Sequence, residues 1–181
     1  AVAHELGVSE TAIRRALMNF QGIGRRFQLH GELTLPDGGR AAVMEDYGHH
    51  PREIQAVLEA VRGAWPERRL VLAFQPHRFT RTRDLFDDFA QVLAEVDALI
   101  LLDVYPAGEK PIAGADGRSL SRAIRIRGKV DPVFVEQTAD LPTALPGLLR
   151  DGDLLLLMGA GDIGAMAAQL IRDRLPLIAN R

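Results

Sequence analysis

Apolar residues along the chain follow two alternating patterns. Short, nearly continuous apolar runs are typical of strands buried on both faces of a sheet, and they occur at 70–74, 98–102 and 153–158. Between these runs the apolar positions recur every three or four residues, as on one face of a helix. The patterns predict helices at 51–61, 84–95, 118–126, 141–149 and 163–174, and a further strand at 130–135.

Strands and helices that alternate in this way predict an α/β fold. We expect a doubly wound, mostly parallel sheet with helices on both faces. The segments 26–35 and 41–45 flank a turn at 36–39 that contains Pro, Asp and two Gly residues. This arrangement predicts a hairpin, and therefore an antiparallel edge to the sheet.

The first residues look like a helix-turn-helix. A short helix over 1–6 would end at the Gly7 turn, and Ser9 is a suitable N-cap for a second helix over 10–19. The formal charges of residues 1–24 nevertheless sum to zero, since the segment contains two arginines and two glutamates. A DNA-binding surface is normally basic, so we expect no nucleic-acid partner.

Composition narrows the remaining possibilities. The chain has 181 residues, 47% of them hydrophobic, a formal net charge of -2 and no cysteine. These values predict one ordinary core without disulfides or thiolate metal sites. No apolar run approaches the ~20 residues of a membrane span, and no signal-peptide pattern is present. Because the sequence begins inside a helical pattern without Met, we expect a fragment of a longer protein.

Polar and titratable residues follow the predicted strand ends, where doubly wound sheets bind ligands. They lie at 46–51, 75–83, 103–110 and 159–162. In the first segment, Asp46 can close the strand beside a capped helix entry. Alternatively, Asp46 can accept from ribose hydroxyls while Tyr47 offers a stacking face. The adjacent His49 and His50 point in different directions, which disfavours a shared metal ion.

The second segment carries three arginines and a histidine between 77 and 83. Forked guanidinium groups bind carboxylate or phosphate, but a solvated basic loop paired with Asp84, Asp87 and Asp88 would have the same composition. The glycine-rich stretch at 159–164 follows the last strand, whereas a dinucleotide fingerprint belongs to the first, so it predicts close backbone approach to some ligand rather than NAD binding. No phosphate-loop motif occurs, so ATP phosphates would need a loop from elsewhere.

Taken together, these motifs resemble the carboxyl-terminal part of the Mur ligase family. The matching stretches are FQGIGRRF at 20–27, EDYGHHP at 45–51, FQPHRFTRTRDL at 74–85, DVYPAGEKPI at 103–112, GRSL at 117–120 and MGAGDI at 158–163. The resemblance implies a Rossmann-like carboxyl-terminal domain over 25–181 and a helical remnant of the central ATPase domain over 1–24. One departure is Glu45, where the family usually has a second Asp.

The resemblance also implies a function. Mur ligases of this kind are cytoplasmic enzymes of peptidoglycan synthesis, which supports cell-wall formation and cell division. They join UDP-N-acetylmuramate to L-alanine with ATP through an acyl phosphate. Magnesium ligands are expected in the central domain, against which this domain packs, and no metal site is expected here.

Specific residues follow from the resemblance. Arg26 and Asp46 would lie at the ATP ribose, Tyr47 beside the adenine and His49 at the phosphates. His77, Arg78 and Arg81 would form the L-alanine pocket. Two other interpretations stay open. One is a stand-alone nucleotide- or amino-acid-binding module, and the other is a helix-turn-helix regulator.

Overall fold

The computed structural model describes residues 2–20 and 22–172. Its centre is a six-stranded sheet with the order β1-β2-β6-β3-β4-β5. Strand β1 runs antiparallel to β2, and all other neighbouring strands are parallel. The strands are β1 (Gln28–Thr34), β2 (Arg40–Asp46), β3 (Leu70–Phe74), β4 (Ala98–Leu102), β5 (Val133–Val135) and β6 (Leu154–Met158). The predicted α/β architecture with a hairpin edge is confirmed.

Helices cover both faces of the sheet. They are α1 (Val2–Glu5), α2 (Glu10–Met18), α3 (Pro51–Ala64), α4 (Phe79–Asp84), α5 (Phe86–Val92), α6 (Gly117–Ile126), α7 (Leu141–Ala144) and α8 (Ile163–Arg172). Single turns of 3-10 helix lie at Leu93–Glu95, Thr138–Asp140 and Leu145–Gly147.

Successive residues of each central strand point to opposite faces, and this divides the core in two. On one face, Val71 and Ala73 of β3 lie in a buried cluster with residues of α7 and α8. On the other face, Leu70, Leu72 and Phe74 lie with residues of α3, α5 and α6. The three central strands β3, β4 and β6 are buried at every position, so their continuous apolar runs are explained.

Several element boundaries differ from the prediction. The predicted helix 84–95 is observed as α5 followed by a 3-10 turn, and a separate helix, α4, occupies most of the arginine-rich segment before it. Strand 130–135 shortens to the three residues of β5, and helix 141–149 is one α-helical turn followed by a 3-10 turn. The predicted helical residues Ala1, Asp173 and Arg174 lie outside the described residues.

The amino-terminal helices make few contacts with the domain. Ser9 caps α2 through its side chain, which accepts from the N–H of Ala12 at 3.3 Å. No residue of α1 or α2 is buried, and Leu17 and Met18 are 69% and 78% exposed. Two helices without a buried face do not form a packed helix-turn-helix. Over the described ranges, no helix is long and apolar enough to cross a bilayer.

Candidate functional site

Four loops meet at the carboxyl edge of the sheet. Strands β2, β6, β3 and β4 are parallel, so the loops that follow them lie at one edge. An additional bridge between His77 and Tyr105 extends the pairing of β3 and β4 into this region. The structure thus brings together the predicted site residues from three separate motifs.

Four rings form a continuous line across this edge, which we call the aromatic row. Tyr47 and His49 meet edge to face with centroids 5.4 Å apart. His49 and His77 are separated by 5.7 Å, and His77 stacks on Tyr105 at 5.5 Å. The row links the motif after β2 to the motif after β3. Sequence reasoning identified three of its members and gave Tyr105 no role.

Asp46 shapes the loop that follows β2. It is only 3% exposed, and its Oδ1 accepts from the N–H of Gly48 at 2.7 Å. Its Oδ2 accepts from the N–H of Phe27 at 2.9 Å. These two hydrogen bonds agree with the interpretation in which Asp46 closes the end of β2. Because each carboxylate oxygen accepts more than one hydrogen bond, this arrangement also leaves acceptor capacity for a ligand.

Arg26 lies beside two carboxylates. Its Nη1 is 3.9 Å from Asp46 and 3.8 Å from Oε1 of Glu53, and its side chain is 46% exposed. Its guanidinium carbon is 5.4 Å from the centroid of Tyr47. A half-exposed guanidinium beside an aromatic face can donate to a polar ligand that covers the ring.

His49 has a defined tautomer. Its Nδ1 lies 3.1 Å from the carbonyl oxygen of Tyr47, and since a carbonyl only accepts, Nδ1 carries the proton.

The carboxylate of Glu53 lies beside His49. Burial opposes the charge of Glu53, but hydrogen bonds from the N–H groups of His49 and His50 and the nearby Arg26 hold the pKa of this carboxyl below its usual value. Glu53 therefore stays ionised and fixes the entry to α3.

His77 is held neutral. Burial lowers its pKa, and the neighbouring His49, Arg81 and Arg78 lower it further. Nη1 of Arg81 lies 3.4 Å from Nδ1 of His77 and 3.1 Å from its carbonyl oxygen. Because a guanidinium only donates, Nδ1 is the acceptor and Nε2 carries the proton. Arg81, four residues after His77 in the chain, thus holds the imidazole ring of His77 in place.

Arg78 directly precedes α4 and has a left-handed conformation, with φ of 73°. Its N–H donates to the carbonyl of Tyr105 at 2.9 Å, and its guanidinium is half exposed, 4.0 Å from Glu109. Glu109 accepts from both the N–H and the hydroxyl of Thr80, at 2.9 and 2.7 Å. These bonds hold the pKa of Glu109 below its usual value. The left-handed conformation of Arg78, uncommon for a non-glycine residue, is thus held by contacts with the residues after β4.

The alternative of a self-paired basic loop applies to one of the three arginines. Arg83 pairs with Asp84 at 2.8 Å. Arg78 and Arg81 instead turn toward Glu109 and His77, at the sheet edge. Glu109 was not predicted as a site residue, although its motif DVYPAGEK was noted, because nothing in the sequence indicates its hydrogen bonds with Thr80.

The glycines after β6 make room for the protein's own side chains. A Cβ at Gly161 would overlap Oε1 of Gln75 and the Tyr105 ring, and a Cβ at Gly164 would overlap the guanidinium of Arg25. Close approach of a ligand to this glycine-rich stretch stays a prediction. The groups that approach include side chains of this chain.

The described residues contain no group of three or more His, Asp or Glu side chains arranged to hold a metal ion. The two acids nearest the aromatic row, Asp46 and Glu53, already accept backbone N–H groups. The arrangement does not fit a magnesium centre. It does fit an anionic, partly aromatic ligand, since the half-exposed guanidinium of Arg26 lies beside Tyr47 and the half-exposed Arg78 directly follows His77.

Comparison with known proteins decides the family. Residues 25–161 match the Mur ligase, glutamate ligase domain. The chain belongs to the Mur ligase family. The resemblance found in the six sequence motifs is thereby confirmed.

Individual Mur ligases and related enzymes are similar to most of the chain. It is 61% identical over 173 residues to the UDP-N-acetylmuramate–L-alanine ligase of Xanthomonas campestris pv. campestris, which covers 96% of this chain and 36% of that protein. The chain therefore spans about a third of the length of that curated relative.

Two crystal structures have a similar fold. One is a UDP-N-acetylmuramate–alanine ligase from Thermotoga maritima, with a TM-score of 0.72 and 24% identity over 95% of this chain and 35% of that one. The other is a bifunctional folylpolyglutamate synthase/dihydrofolate synthase from Yersinia pestis, complexed with AMPPNP and a Mn ion. It has a TM-score of 0.60 and 16% identity over 92% of this chain and 35% of that one.

Proposed function

We propose that this chain is the carboxyl-terminal domain of an ATP-dependent ligase that joins UDP-N-acetylmuramate to L-alanine in peptidoglycan precursor synthesis. Support comes from its family membership and from the 61% identity to the Xanthomonas ligase. The observation that carries the proposal is the aromatic row, with the guanidinium of Arg26 beside Tyr47 and that of Arg81 bonded to His77. One end suits a nucleotide and the other suits an amino acid.

The nucleotide end comprises Arg26, Asp46, Tyr47 and His49. Asp46 has acceptor capacity for a ribose hydroxyl, and Tyr47 presents an aromatic ring to the adenine. Arg26 can donate to ribose or phosphate oxygens. His49 can donate to a phosphate through Nε2 only as an imidazolium, because its Nδ1 proton is directed to the Tyr47 carbonyl.

The amino-acid end comprises His77, Arg78 and Arg81. A guanidinium fork binds a carboxylate through two parallel hydrogen bonds, and the half-exposed Arg78 is free to turn toward one. Arg81 donates to His77 through Nη1, which leaves its other donors for the same carboxylate. Neutral His77 and Tyr105 then form a wall without positive charge beside the alanine amine.

The proposed reaction forms one amide bond per ATP. The muramoyl carboxylate attacks the γ-phosphorus, the bond to the β-phosphate oxygen breaks, and ADP leaves. The alanine amine then attacks the acyl carbon, loses a proton and expels phosphate. This chain's arginines and histidines bind and orient the reactants, and closure over a central domain excludes water from the acyl phosphate.

The remaining parts of the site belong, in this proposal, to the rest of the full-length protein. The phosphate loop, the magnesium ligands and the UDP-sugar pocket lie there, and residues 1–24 are the end of its central domain. Magnesium, when bound there with ATP, neutralises phosphate charge. We propose the cytoplasm, where ATP and soluble precursors occur, as the location.

A phosphate-release assay tests this proposal. The full-length protein should release phosphate from ATP only when both UDP-N-acetylmuramate and L-alanine are present. The 181-residue chain alone should give no alanyl product. Turnover by this chain within tenfold of the full-length protein would contradict the assignment. Ligand binding without any turnover by the full-length protein would favour a stand-alone binding module.

A further inference from the structure

The side chain of Arg25 bridges β2 and the turn after β6. Its Nε donates to Oε1 of Glu45 at 2.7 Å. Its Nη2 donates to the carbonyl oxygens of Gly159 and Gly161 at 3.1 and 3.3 Å. One guanidinium thus joins segments that are more than a hundred residues apart, using the geometry that distinguishes arginine from lysine.

The surroundings of Arg25 are built to receive a cation. Glu45 is only 3% exposed, and its second oxygen lies 3.0 Å from Nε2 of His30. A buried carboxylate is costly without a paired cation. Gly164 leaves the space that the guanidinium fills, since a Cβ there would overlap it. The fit therefore depends on an acid at the end of β2 and a glycine in the first turn of α8.

Arg25 also fixes the nucleotide end of the aromatic row. Its guanidinium carbon lies 4.7 Å from the centroid of Tyr47, and its carbonyl accepts from the N–H of Tyr47 at 2.7 Å. Its own N–H donates to Oε1 of Gln28 at 2.8 Å, with φ held at 61°. Arg26 follows directly, so its backbone direction depends on these bonds.

We propose that Arg25 is a positioning residue for the nucleotide end of the site, acting through Tyr47 and Arg26 without touching ATP. This inference rests on the proposed ligase function. The described contacts of Arg25 reach β1, β2, Tyr47 and the turn after β6, and none of them reaches His77 or Arg81. The amino-acid end should therefore be independent of Arg25.

Two single variants and their combination test this role in the full-length ligase. Arg25→Lys keeps the charge but loses the fork, and Gly164→Ala pushes the guanidinium out of place. Each should raise KM for ATP about tenfold, since small displacements of a positioned group have effects of this size or larger, while KM for L-alanine stays within twofold. The double variant should be no worse than either single variant, because both break the same contact.

Arg40→Lys is the matched control, because Arg40 lies at the amino end of β2 and its side chain pairs with the exposed Glu32 of β1. KM is independent of the fraction of active enzyme, so partial misfolding does not imitate the expected selectivity. Equal increases in both KM values, an unchanged KM for ATP, or additive effects in the double variant would overturn the role. A wild-type ligase that releases no phosphate with these substrates would instead overturn the proposed function.

Discussion

At the scale of single residues, Ser121 of α6 places a hydroxyl group in the core without a hydrogen bond among the described residues. Its Oγ is buried and has no hydrogen-bond partner among the described residues, and an unsatisfied buried hydroxyl costs about 1–3 kcal/mol. Ser121→Ala removes this cost and favours the helix. We expect the free energy of unfolding to rise by about 1 kcal/mol, which corresponds to a Tm increase of roughly 2–4 °C.

Ser119→Ala on the same helix is the control for this change. The hydroxyl of Ser119 donates to Asp116 at 3.0 Å, so its loss should leave Tm unchanged or lower it. A fall in Tm for Ser121→Ala would show that its hydroxyl has a partner in solution. Calorimetry of the three proteins under identical conditions makes the comparison.

His77 makes stability dependent on pH. Its pKa is lower in the folded protein than the ordinary value of about 6.5, so the unfolded chain binds more protons as pH falls below 6.5. The contribution of neutral His77 to the free energy of unfolding is complete above pH 6.5. It is lost as the pH falls from there toward the pKa of His77 in the folded protein. His77→Gln should therefore flatten the fall in unfolding free energy below pH 6.5.

Urea unfolding at a series of pH values between 7.5 and 5, a window around the ordinary pKa, measures this difference. His4→Gln, which changes an exposed histidine of α1, is the control. Parallel curves for the wild type and His77→Gln would mean that the ring titrates as it does in the unfolded chain.

Residue identities were easier to predict than residue contacts. The motif after β2 correctly placed Asp46, Tyr47 and His49 at one strand end. The partners of Arg25 could not be predicted, because they are 20, 134 and 136 positions away in the chain. No local pattern encodes such a distance, and the glycines at 159–164 showed only that something approaches closely.

At the scale of elements, burial decides which predictions succeed. Strands β3 and β4 were predicted with their observed bounds, because strands buried on both faces leave an unbroken apolar run. Helix α4 was missed, since its sequence FTRTRD buries only Phe79 and Thr82 and shows no helical stripe. Its formation depends on tertiary contacts, including those of Glu109 with Thr80.

The first turn of α6 packs directly against the end of β4. A Cβ at Gly117 would overlap the carbonyl oxygen of Leu102 and approach Phe134 to 2.9 Å. Gly117→Ala should therefore lower the free energy of unfolding by about 1–3 kcal/mol, as overpacking does. Chemical denaturation measures this loss directly.

Gly63 in α3 provides the matched comparison. Nothing lies within 4 Å of a Cβ there, and alanine is a better helix former than glycine. Gly63→Ala should raise stability by about 0.5–1 kcal/mol. Equal effects at Gly63 and Gly117 would mean that helix propensity, rather than contact with β4, determines both.

Helices α1 and α2 should be weakly held in this chain. None of their residues is buried, and short helices are marginal in water without tertiary packing. Hydrogen exchange should show little protection over 2–20 and strong protection over 70–74. Equal protection in dilute solution would mean that these helices have a packing surface within the chain.

At the scale of the whole molecule, the aromatic row separates two binding tasks that belong to one reaction. The nucleotide end is built from the segment before β1, the end of β2 and the loop after it, and the amino-acid end from the loop after β3, α4 and the loop after β4. Among the described residues, the ring contact between His49 and His77 joins the two ends. Rigid strands fix the distance between the two ends, and closure over another domain would bring both to the reacting groups together.

This separation predicts opposite selectivity for two variants of the full-length ligase. Arg81→Ala should mainly raise KM for L-alanine, and Asp46→Asn should mainly raise KM for ATP. Losing a charge pair to a carboxylate in an enclosed site costs roughly 2–5 kcal/mol, which at about 1.36 kcal/mol per decade is about thirtyfold or more. Steady-state kinetics with each substrate varied in turn measures both constants. Equal weakening of ATP and alanine by Arg81→Ala would assign Arg81 to phosphate binding or to the brace on His77, and the amino-acid pocket would have to lie elsewhere.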